Sequence, residues 1–436
     1  RVTFDSDLFD PTLEHCLGPD IVAQARKRKK DPGFQNLLDR CFREADEDGS
    51  AVAARIVRDP EIKQQYDTAV RHGLAAVEDP APEIRRFFEW SESIPAALDR
   101  DTVEFGGEVF RRSLGTLGLM LYGIPLGMTL QSTVQGVSVP LWTTSPSKGP
   151  AIPLHLAATR PDLVRRNAVR YMETLKWFGK VAGKGAGQLH SEAYAENCRI
   201  RVIHGHVRPA VAANPNGWNY SSGKGWDENV LGTPLNHADG SIVVLTLVAA
   251  IAAMRRHFGL DLSQREMDAL TQWACYVHHQ QGVPGEFMFS TFDDAMTHFA
   301  AFFMSIDPHV YHMECLSFIR SVQHMHLERA MFGRSVVLQN ALDGLLRASV
   351  DSMMDERIRE TYDIPPAAGW SRLLYRLVRI GLVAANTAGR HLPSIQRRLR
   401  ANAVRTWTHV FPRAEQSVRE YYGVVADGTR LANETH

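Results

Sequence analysis

Residues 201–208 read RVIHGHVR and place two histidines and two arginines in one short stretch. On a helix, Arg201, His204 and Arg208 would share one face, whereas His206 would project elsewhere. A lone histidine on such a face could ligate a metal whose other ligands are not protein. Haem meets that description, and flanking arginines would suit its propionates. A core histidine beside two surface arginines would give the same pattern, so the motif alone leaves both interpretations open.

A second polar cluster lies about thirty residues upstream, within the stretch VRYMETLKW. Arg170, Glu173 and Thr174 stand at i, i+3 and i+4, so a helix would project all three from one face. Their helical neighbours are apolar, and charge placed among apolar residues must be paired or used in chemistry. The alternative is a surface Arg–Glu pair that stabilises the helix only slightly.

The other histidine pairs favour structural roles. Adjacent helical residues point about 100° apart and do not easily chelate one ion, and a zinc site normally needs three or four converging ligands. The pairs are His278 with His279, His309 with His312, and His324 with His326. The sequence contains no HExxH motif, no paired ExxH motif and no EF-hand loop.

Composition limits the classes of partner. Lysine plus arginine and aspartate plus glutamate each number 49, so the total charge gives no reason to expect nucleic acid binding. The five cysteines are scattered without a CxxC pair, which favours a reducing, cytoplasmic compartment. Because the sequence begins at Arg1, secretion after removal of a signal peptide stays open. The apolar runs 114–130 and 242–254 are predicted to be core helices, since a membrane span needs roughly 20 apolar residues.

The elements that must position these side chains are predicted to be helices. Apolar residues recur at spacings of three and four, as in 83–94 and 163–181, and strand-like alternation is almost absent. A proline-containing break at 79–82 suggests an N-terminal helical elaboration over 1–80 and a main domain over 81–436, unless the two form one continuous domain.

The tail from Arg372 to Arg413 carries many arginines among apolar positions. Such a pattern is typical of the solvated face of a packed helix. It is also compatible with a helix that lies on a membrane surface, so a peripheral membrane contact stays open, whereas no transmembrane helix is expected.

Together the two clusters resemble the family of the latex-clearing proteins (rubber oxygenases) and the endoplasmic-reticulum-bound oxygenase of mycophenolic acid biosynthesis. The matching pieces are Arg170 and Thr174 in RYMET, Arg201 and His204 in RVIHGHVR, and a GxPxxxxD segment. That segment comprises Gly232, Pro234 and Asp239 in GTPLNHAD. The resemblance runs over roughly residues 80–260, including the stretch FFEWSESIPAALDRD at 87–101.

The resemblance implies an all-α fold with a globin-like helical core and extra helices, and haem b held by one proximal histidine. His204 would be that iron ligand, with Arg201 and Arg208 beside the cofactor. His237 would lie near the position of a further histidine of the latex-clearing branch, although the spacing differs by about one residue. The main domain, 81–436, would then be a haem-binding oxygenase domain.

On the distal side, the resemblance assigns Arg170, Glu173 and Thr174. In the latex-clearing branch a lysine precedes the threonine and can occupy the iron position, whereas this chain has Glu173. Lysine ligation is therefore excluded at this position, and the comparison points to the broader oxygenase relatives. Glu173, if desolvated by the porphyrin, could act as an acid or a base.

The expected function is therefore a haem b-dependent oxygenase that uses dioxygen on a small apolar substrate, for example by cleaving a C=C bond of an isoprenoid, lipid or polyketide-like molecule. One alternative is a non-catalytic haem sensor or carrier. Another is a non-haem metalloenzyme that uses His204, His206 and His237 with Asp239. The sequence leaves the substrate and the oligomeric state open.

Overall fold

In the computed structural model, the described residues are 7–123, 126, 172–213, 226–306, 335–361, 364–410, 412–413 and 416. The regular structure of these residues is entirely helical, which confirms the all-α prediction. Arg170, the histidines between 309 and 326, and residues 124–125 and 127–130 of the apolar run lie outside the described residues.

The chain folds into a series of mostly short helices. The N-terminal helices are α1 (Asp10–Leu17), α2 (Pro19–Lys29), α3 (Pro32–Arg43), α4 (Glu47–Ile56), α5 (Pro60–His72), α6 (Pro82–Glu92) and α7 (Arg100–Ser113). The central helices are α8, described over 172–181, α9 (Glu192–Ala212), α10 (Leu245–His257), α11 (Gln264–Gln280) and α12 (Phe292–Ser305). The C-terminal helices are α13 (Val336–Met353), α14 (Gly369–His391) and α15 (Pro393–Arg405).

Side-chain caps fix where several of these helices begin. Asp46 accepts a hydrogen bond from the backbone N–H of Gly49 at the start of α4, and Ser191 accepts one from Tyr194 at the start of α9. Ser263 and Glu266 form a reciprocal capping box at the start of α11. Each cap satisfies backbone donors that the first turn of a helix leaves without partners.

Helices α10 and α11 lie at the centre of the main hydrophobic core. Every residue from Leu245 to Met254 in α10 is buried, as is Trp273 of α11, whose indole N–H donates to the carbonyl of Val181 at 3.0 Å. Among the described residues, the segment His237–His257 is long and apolar enough to cross a membrane, but 83% of its most apolar window is buried inside the protein. This burial agrees with the prediction of a core helix.

The N-terminal helices contribute to the same core. Helix α2 packs against α12, α1 packs against α10, and α4 packs against α9. The Thr12 hydroxyl donates to the carbonyl of Met353 at 2.8 Å, which joins α1 to the end of α13. The helices before residue 80 therefore share buried surface with later ones, and a domain boundary at that point stays a prediction.

Helices α14 and α15 form a C-terminal hairpin on the outside of this core. Helix α14 packs along α13, and α15 packs against α7. Trp407, just after α15, is buried and donates to the carbonyl of Leu114 at 2.8 Å. The hairpin is thus attached to the core along one side only of α14.

Candidate functional site

The RVIHGHVR motif lies within α9, as the helical spacing requires. Arg201 and Arg208 therefore project on the same side as His204, and His206 projects from a different face. His206 is half-buried, and burial lowers its pKa below the ordinary value. The two histidines of the motif are therefore in different surroundings.

Arg201 is held by a buried carboxylate. Its side chain is only 1% exposed, and its Nε and Nη2 each donate to one oxygen of Asp46 at 2.7 Å. The remaining nitrogen donates to Ser91 Oγ at 3.0 Å and to the carbonyl of Phe87 at 3.3 Å. The guanidinium also lies over the Phe87 ring, 4.3 Å from its centroid. Every nitrogen of the guanidinium thus has a protein partner.

Asp46 remains ionised despite its burial. Burial by itself would raise the pKa of this carboxyl group, but the charge and hydrogen bonds of Arg201, with the backbone N–H of Gly49, lower the pKa below its ordinary value. The result is a two-pronged, charge-assisted pair in a largely water-free setting. Such a pair fixes the rotation of α9 relative to α4.

Arg208 provides a second attachment on the other side of His204. Its Nη1 donates to the carbonyl of Asp46 at 3.0 Å and to the Ser50 hydroxyl, and its Nε donates to the carbonyl of Pro234 at 3.0 Å. Arg201 and Arg208 therefore both bind the N-terminus of α4, one turn before and one turn after His204. Their predicted pairing with haem propionates stays a prediction, and in this structure both guanidinium groups bind protein.

Two glycines let the backbones of α4 and α9 approach each other closely. A Cβ atom on Gly205 would lie 2.4 Å from the carbonyl oxygen of Gly49 and 2.8 Å from Cβ of Ala53. No side chain other than hydrogen fits at such a distance. The contact places His204 directly beside the arginine–aspartate attachment.

His204 has the properties of a neutral metal ligand. Its side chain is half-buried, and burial, followed by the positive charge of Arg208, lowers its pKa to about 4. The imidazole is therefore neutral at pH 7. Among the described residues, no hydrogen bond to its ring nitrogens is formed. A neutral imidazole is the form of histidine that binds iron in haem, so the His204 side chain is compatible with the predicted ligand role.

His237 and the GxPxxxxD segment lie on the same side of the molecule as Asp46. Burial is the main cause that lowers the pKa of His237 to about 4, and the charges of Asp46 and Arg208 also act on it. The segment is tied to the end of α3, since Thr233 N–H donates to the carbonyl of Phe42 at 2.8 Å and His237 N–H donates to that of Glu44 at 3.0 Å. It thereby supports the carbonyl that Arg208 binds.

The remaining residues of this segment have structural contacts. Gly232 adopts a φ of +70°, and a Cβ there would lie 2.4 Å from the carbonyl oxygen of Phe42. Asp239 is buried and accepts a hydrogen bond from the Asn236 side-chain amide at 3.2 Å. Its carboxylate thus belongs to the cap of a short helical turn.

Two of the predicted distal residues, Glu173 and Thr174, lie on α8, which runs antiparallel to α9. Lys180 Nζ lies 3.3 Å from the carboxylate of Glu196, and the Trp177 indole N–H donates to Asn197 Oδ1 at 3.3 Å. Glu173, farther from this contact along α8, contributes to the raised pKa of Arg199, where burial is outweighed mainly by Glu196. Glu173 therefore lies near the part of α9 around Arg199, which precedes His204 by five residues.

Glu173 and Thr174 are both exposed on α8. The desolvation that acid–base chemistry at Glu173 would require is thus not produced by the described residues themselves. Arg170, the third member of this cluster, is outside the described residues. The distal roles of all three residues stay predictions.

The non-haem alternative receives no support from the arrangement of side chains. In the parts of the chain that the structure describes, no group of three or more His, Cys, Asp or Glu side chains could hold a metal ion. His204 and His206 diverge on α9, and Asp239 is engaged with Asn236.

The sequence motifs do not include Asp46, although this residue binds both Arg201 and Arg208 and so joins α4 to α9. It lies in the acidic stretch EADEDGS, and the only local signal was an aspartate three positions before a glycine at a helix start. Its binding to Arg201 joins residues 155 positions apart. Nothing in the local pattern identifies such a partner.

Comparison with known proteins places this geometry in a family. Residues 111–383 match the family described as "ER-bound oxygenase mpaB/B'/Rubber oxygenase, catalytic domain". No curated protein matches the sequence. The structure is similar to the solved structure of latex clearing protein LCP in the closed state, with a TM-score of 0.54 and 16% identity, over 84% of this chain and 90% of that one. At this identity the similarity concerns the fold.

Proposed function

This chain belongs to the family of the ER-bound oxygenase mpaB/B' and rubber oxygenase catalytic domain, and we propose that it is a haem b-dependent oxygenase for an apolar substrate. The observation that carries the proposal is His204, a neutral imidazole between two arginines that attach α9 to the same carboxylate residue. This arrangement fixes the direction of one ligand, which is what a haem with a single proximal histidine needs.

When bound, haem iron supplies the binding of dioxygen and the redox chemistry. His204 would hold it through a ring nitrogen. Arg201 and Arg208 would act through α9, because their attachments to Asp46 prevent the helix from rotating and so keep the imidazole oriented. Asp46 and the two arginines are thus positioning residues in this proposal.

The polar face of α8 would act on the reacting molecules. Thr174 offers a hydroxyl that can donate a hydrogen bond, and Glu173 offers a carboxylate that can hold or release a proton. A hydrogen-bond donor on this face would stabilise negative charge that develops on the reacting molecules, and a hydrogen bond to a charged group contributes about 1.5–3 kcal/mol. Arg170 would add fixed positive charge to this side.

The substrate we propose is an olefin of isoprenoid, lipid or polyketide type, which dioxygen would oxidise or cleave at a C=C bond. The apolar class of substrate is supported by the family description, which names a rubber oxygenase. Dioxygen and this small molecule are then the two reaction partners.

The visible spectrum tests the proposal directly. Protein produced with an adequate haem supply should show a Soret band that shifts after dithionite and carbon monoxide, and His204→Ala should lose the band or change its ligation. His206→Ala is the matched control, because it removes an imidazole two residues away on another face and should leave the spectrum unchanged. A chain without a Soret band, or with the same band in His204→Ala, would refute the assignment.

Turnover separates an oxygenase from a non-catalytic haem protein. Thr174→Val should keep the Soret band of the unmodified protein but slow the reaction with dioxygen in the presence of an olefin, by about 10- to 150-fold if one charged hydrogen bond is lost. Dioxygen uptake and product formation are the measurements. Haem binding without any olefin oxidation would identify a sensor or carrier instead.

A further inference from the structure

Helix α14 exposes a stripe of large apolar side chains. Trp370, Leu373, Leu377 and Ile380 are 54%, 58%, 57% and 66% exposed, respectively. They follow one another at i, i+3, i+7 and i+10, so they form one continuous face of the helix. A packed soluble surface rarely leaves four such side chains in a row in water.

The stripe lies opposite the side by which α14 is fixed to the protein. Ser371 and Tyr375 are buried against the core, and Val378 packs partly against it. The Asn386 amide donates to the carbonyl of Phe258 at 2.8 Å and so fixes the far end of the helix. Because the inner face is occupied, α14 cannot rotate to bury its outer face without breaking these contacts.

Exposed apolar surface is concentrated at this place. Among the described residues, all but one of the large exposed apolar side chains lie on α14, just after it at Leu392, or in the first turn of the adjacent α13. The exception is Val57 at the end of α4. A concentration of this kind marks an interaction surface rather than the scattered exposure of single residues.

The charge of the same segment is strongly positive. Between residues 364 and 414 the sequence contains nine arginines and no aspartate or glutamate. Arg372, Arg376 and Arg379 belong to α14 and lie on one flank of the apolar stripe. The rest of the chain must therefore carry the compensating negative charge, since the total is zero.

We propose that the outer face of α14 docks on an anionic lipid surface. Apolar side chains in line with arginines are what a helix at the boundary of headgroups and acyl chains needs, because the side chains enter the apolar layer while guanidinium groups meet the phosphates. A second copy of this chain is the poorer partner, since a symmetric dimer through this face would bring two basic surfaces together.

Vesicle binding tests this inference without reference to haem or turnover. The full chain is mixed with phosphatidylcholine vesicles and with vesicles of phosphatidylcholine and phosphatidylglycerol in equal parts, and the bound fraction is measured by sedimentation. Binding should be strong only to the anionic vesicles and should weaken as salt screens the arginines. Absence of binding to anionic vesicles would overturn the proposal.

Substitutions then locate the contact. The triple variant Leu373→Ser, Leu377→Ser, Ile380→Ser should lower partitioning to anionic vesicles at least about tenfold, because it removes the side chains that enter the apolar layer. Val57→Ser is the matched apolar control and should bind like the unmodified chain. For charge, Arg376→Gln with Arg379→Gln should weaken binding, whereas Arg58→Gln, which is exposed at the end of α4, should leave binding nearly unchanged.

Two further results would contradict the proposal. One is a triple variant that still folds, as judged by an unchanged Tm, and binds vesicles as well as the unmodified chain. The other is a stable dimer of the unmodified chain that the triple variant converts into a monomer, because that result would assign the face to a second copy. Size-exclusion chromatography with light scattering provides the second measurement.

Discussion

Replacing Asp46 by asparagine tests whether the buried arginine–aspartate pair attaches α9 to α4. Asp46→Asn keeps the shape and part of the hydrogen bonding, but it leaves the Arg201 guanidinium buried without a counter-charge. Removal of one partner of a buried ion pair typically costs about 3–5 kcal/mol. We therefore expect a free energy of unfolding lower by about 4 kcal/mol.

The matched control is Asp48→Asn, two residues away. Asp48 accepts from Arg86 Nε at 2.9 Å, and the two side chains are 30% and 55% exposed. Exposed pairs of this kind contribute at most about 1 kcal/mol. Since the unfolding entropy is about 2.1 cal/mol/K per residue, a loss of 4 kcal/mol lowers Tm of a chain of this length by about 4 °C, and the control should shift it by about 1 °C at most.

A coupled substitution distinguishes loss of the pair from loss of the helix cap. Arg201→Met should cost less stability in the Asp46→Asn background than in the unmodified chain, because the buried charge that asparagine leaves unpaired is then absent. Urea unfolding of all four proteins gives the interaction free energy. Equal destabilisation by Asp46→Asn and Asp48→Asn, or strict additivity with Arg201→Met, would refute the reasoning.

Two further expectations follow from packing and from the buried histidines. Gly205→Ala should destabilise the protein by about 1–3 kcal/mol, because its Cβ would lie 2.4 Å from the Gly49 carbonyl oxygen. Gly381→Ala, whose Cβ would meet no atom within 4 Å, should stabilise the protein slightly. Chemical denaturation measures both changes. Burial lowers the pKa of His278 and of His298 to about 3, so both stay neutral in the folded protein, whereas in the unfolded chain they take up protons below the ordinary pKa of about 6.5. Stability should therefore fall as pH decreases below about 6.5, by about 1.4 kcal/mol per pH unit for each histidine, which amounts to about 4 kcal/mol at pH 5. If the free energy of unfolding measured with urea is the same at pH 5 as at pH 7, this expectation is wrong.

The helical part of the site was predictable from the sequence because its spacing is local. Residues at i, i+3 and i+7 in RVIHGHVR share a face on any helix, and the structure has that helix over Glu192–Ala212. The buried α10 was predictable for the same reason, since a helix that is apolar on all sides is normally buried in the core. Both predictions depend only on neighbours within a few turns.

The partner of Arg201 was not predictable in this way. Sequence spacing suggested that this arginine would face a cofactor, whereas the fold brings Asp46 to it from another helix. Likewise, a glycine such as Gly205 lowers the helix propensity of the motif, and the sequence gives no reason for its presence. The reason is the close approach of the Gly49 backbone, which leaves no room for a larger residue. Contacts between distant segments depend on tertiary packing, which local patterns do not encode.

The attachment around Asp46 also has a consequence for the order of events during synthesis of the chain. Asp46 meets Arg201 and Arg208 from the middle of the chain, and Arg208 in turn requires the carbonyl of Pro234. The bonds of Asp46 with Arg201 and Arg208 cannot form before residue 208 has been translated, and the bond from Arg208 to the Pro234 carbonyl cannot form before residue 234 has been translated. Helix α4 is therefore translated long before the arginines that its N-terminal residue Asp46 binds, and the attachment of α9 to α4 forms late in synthesis.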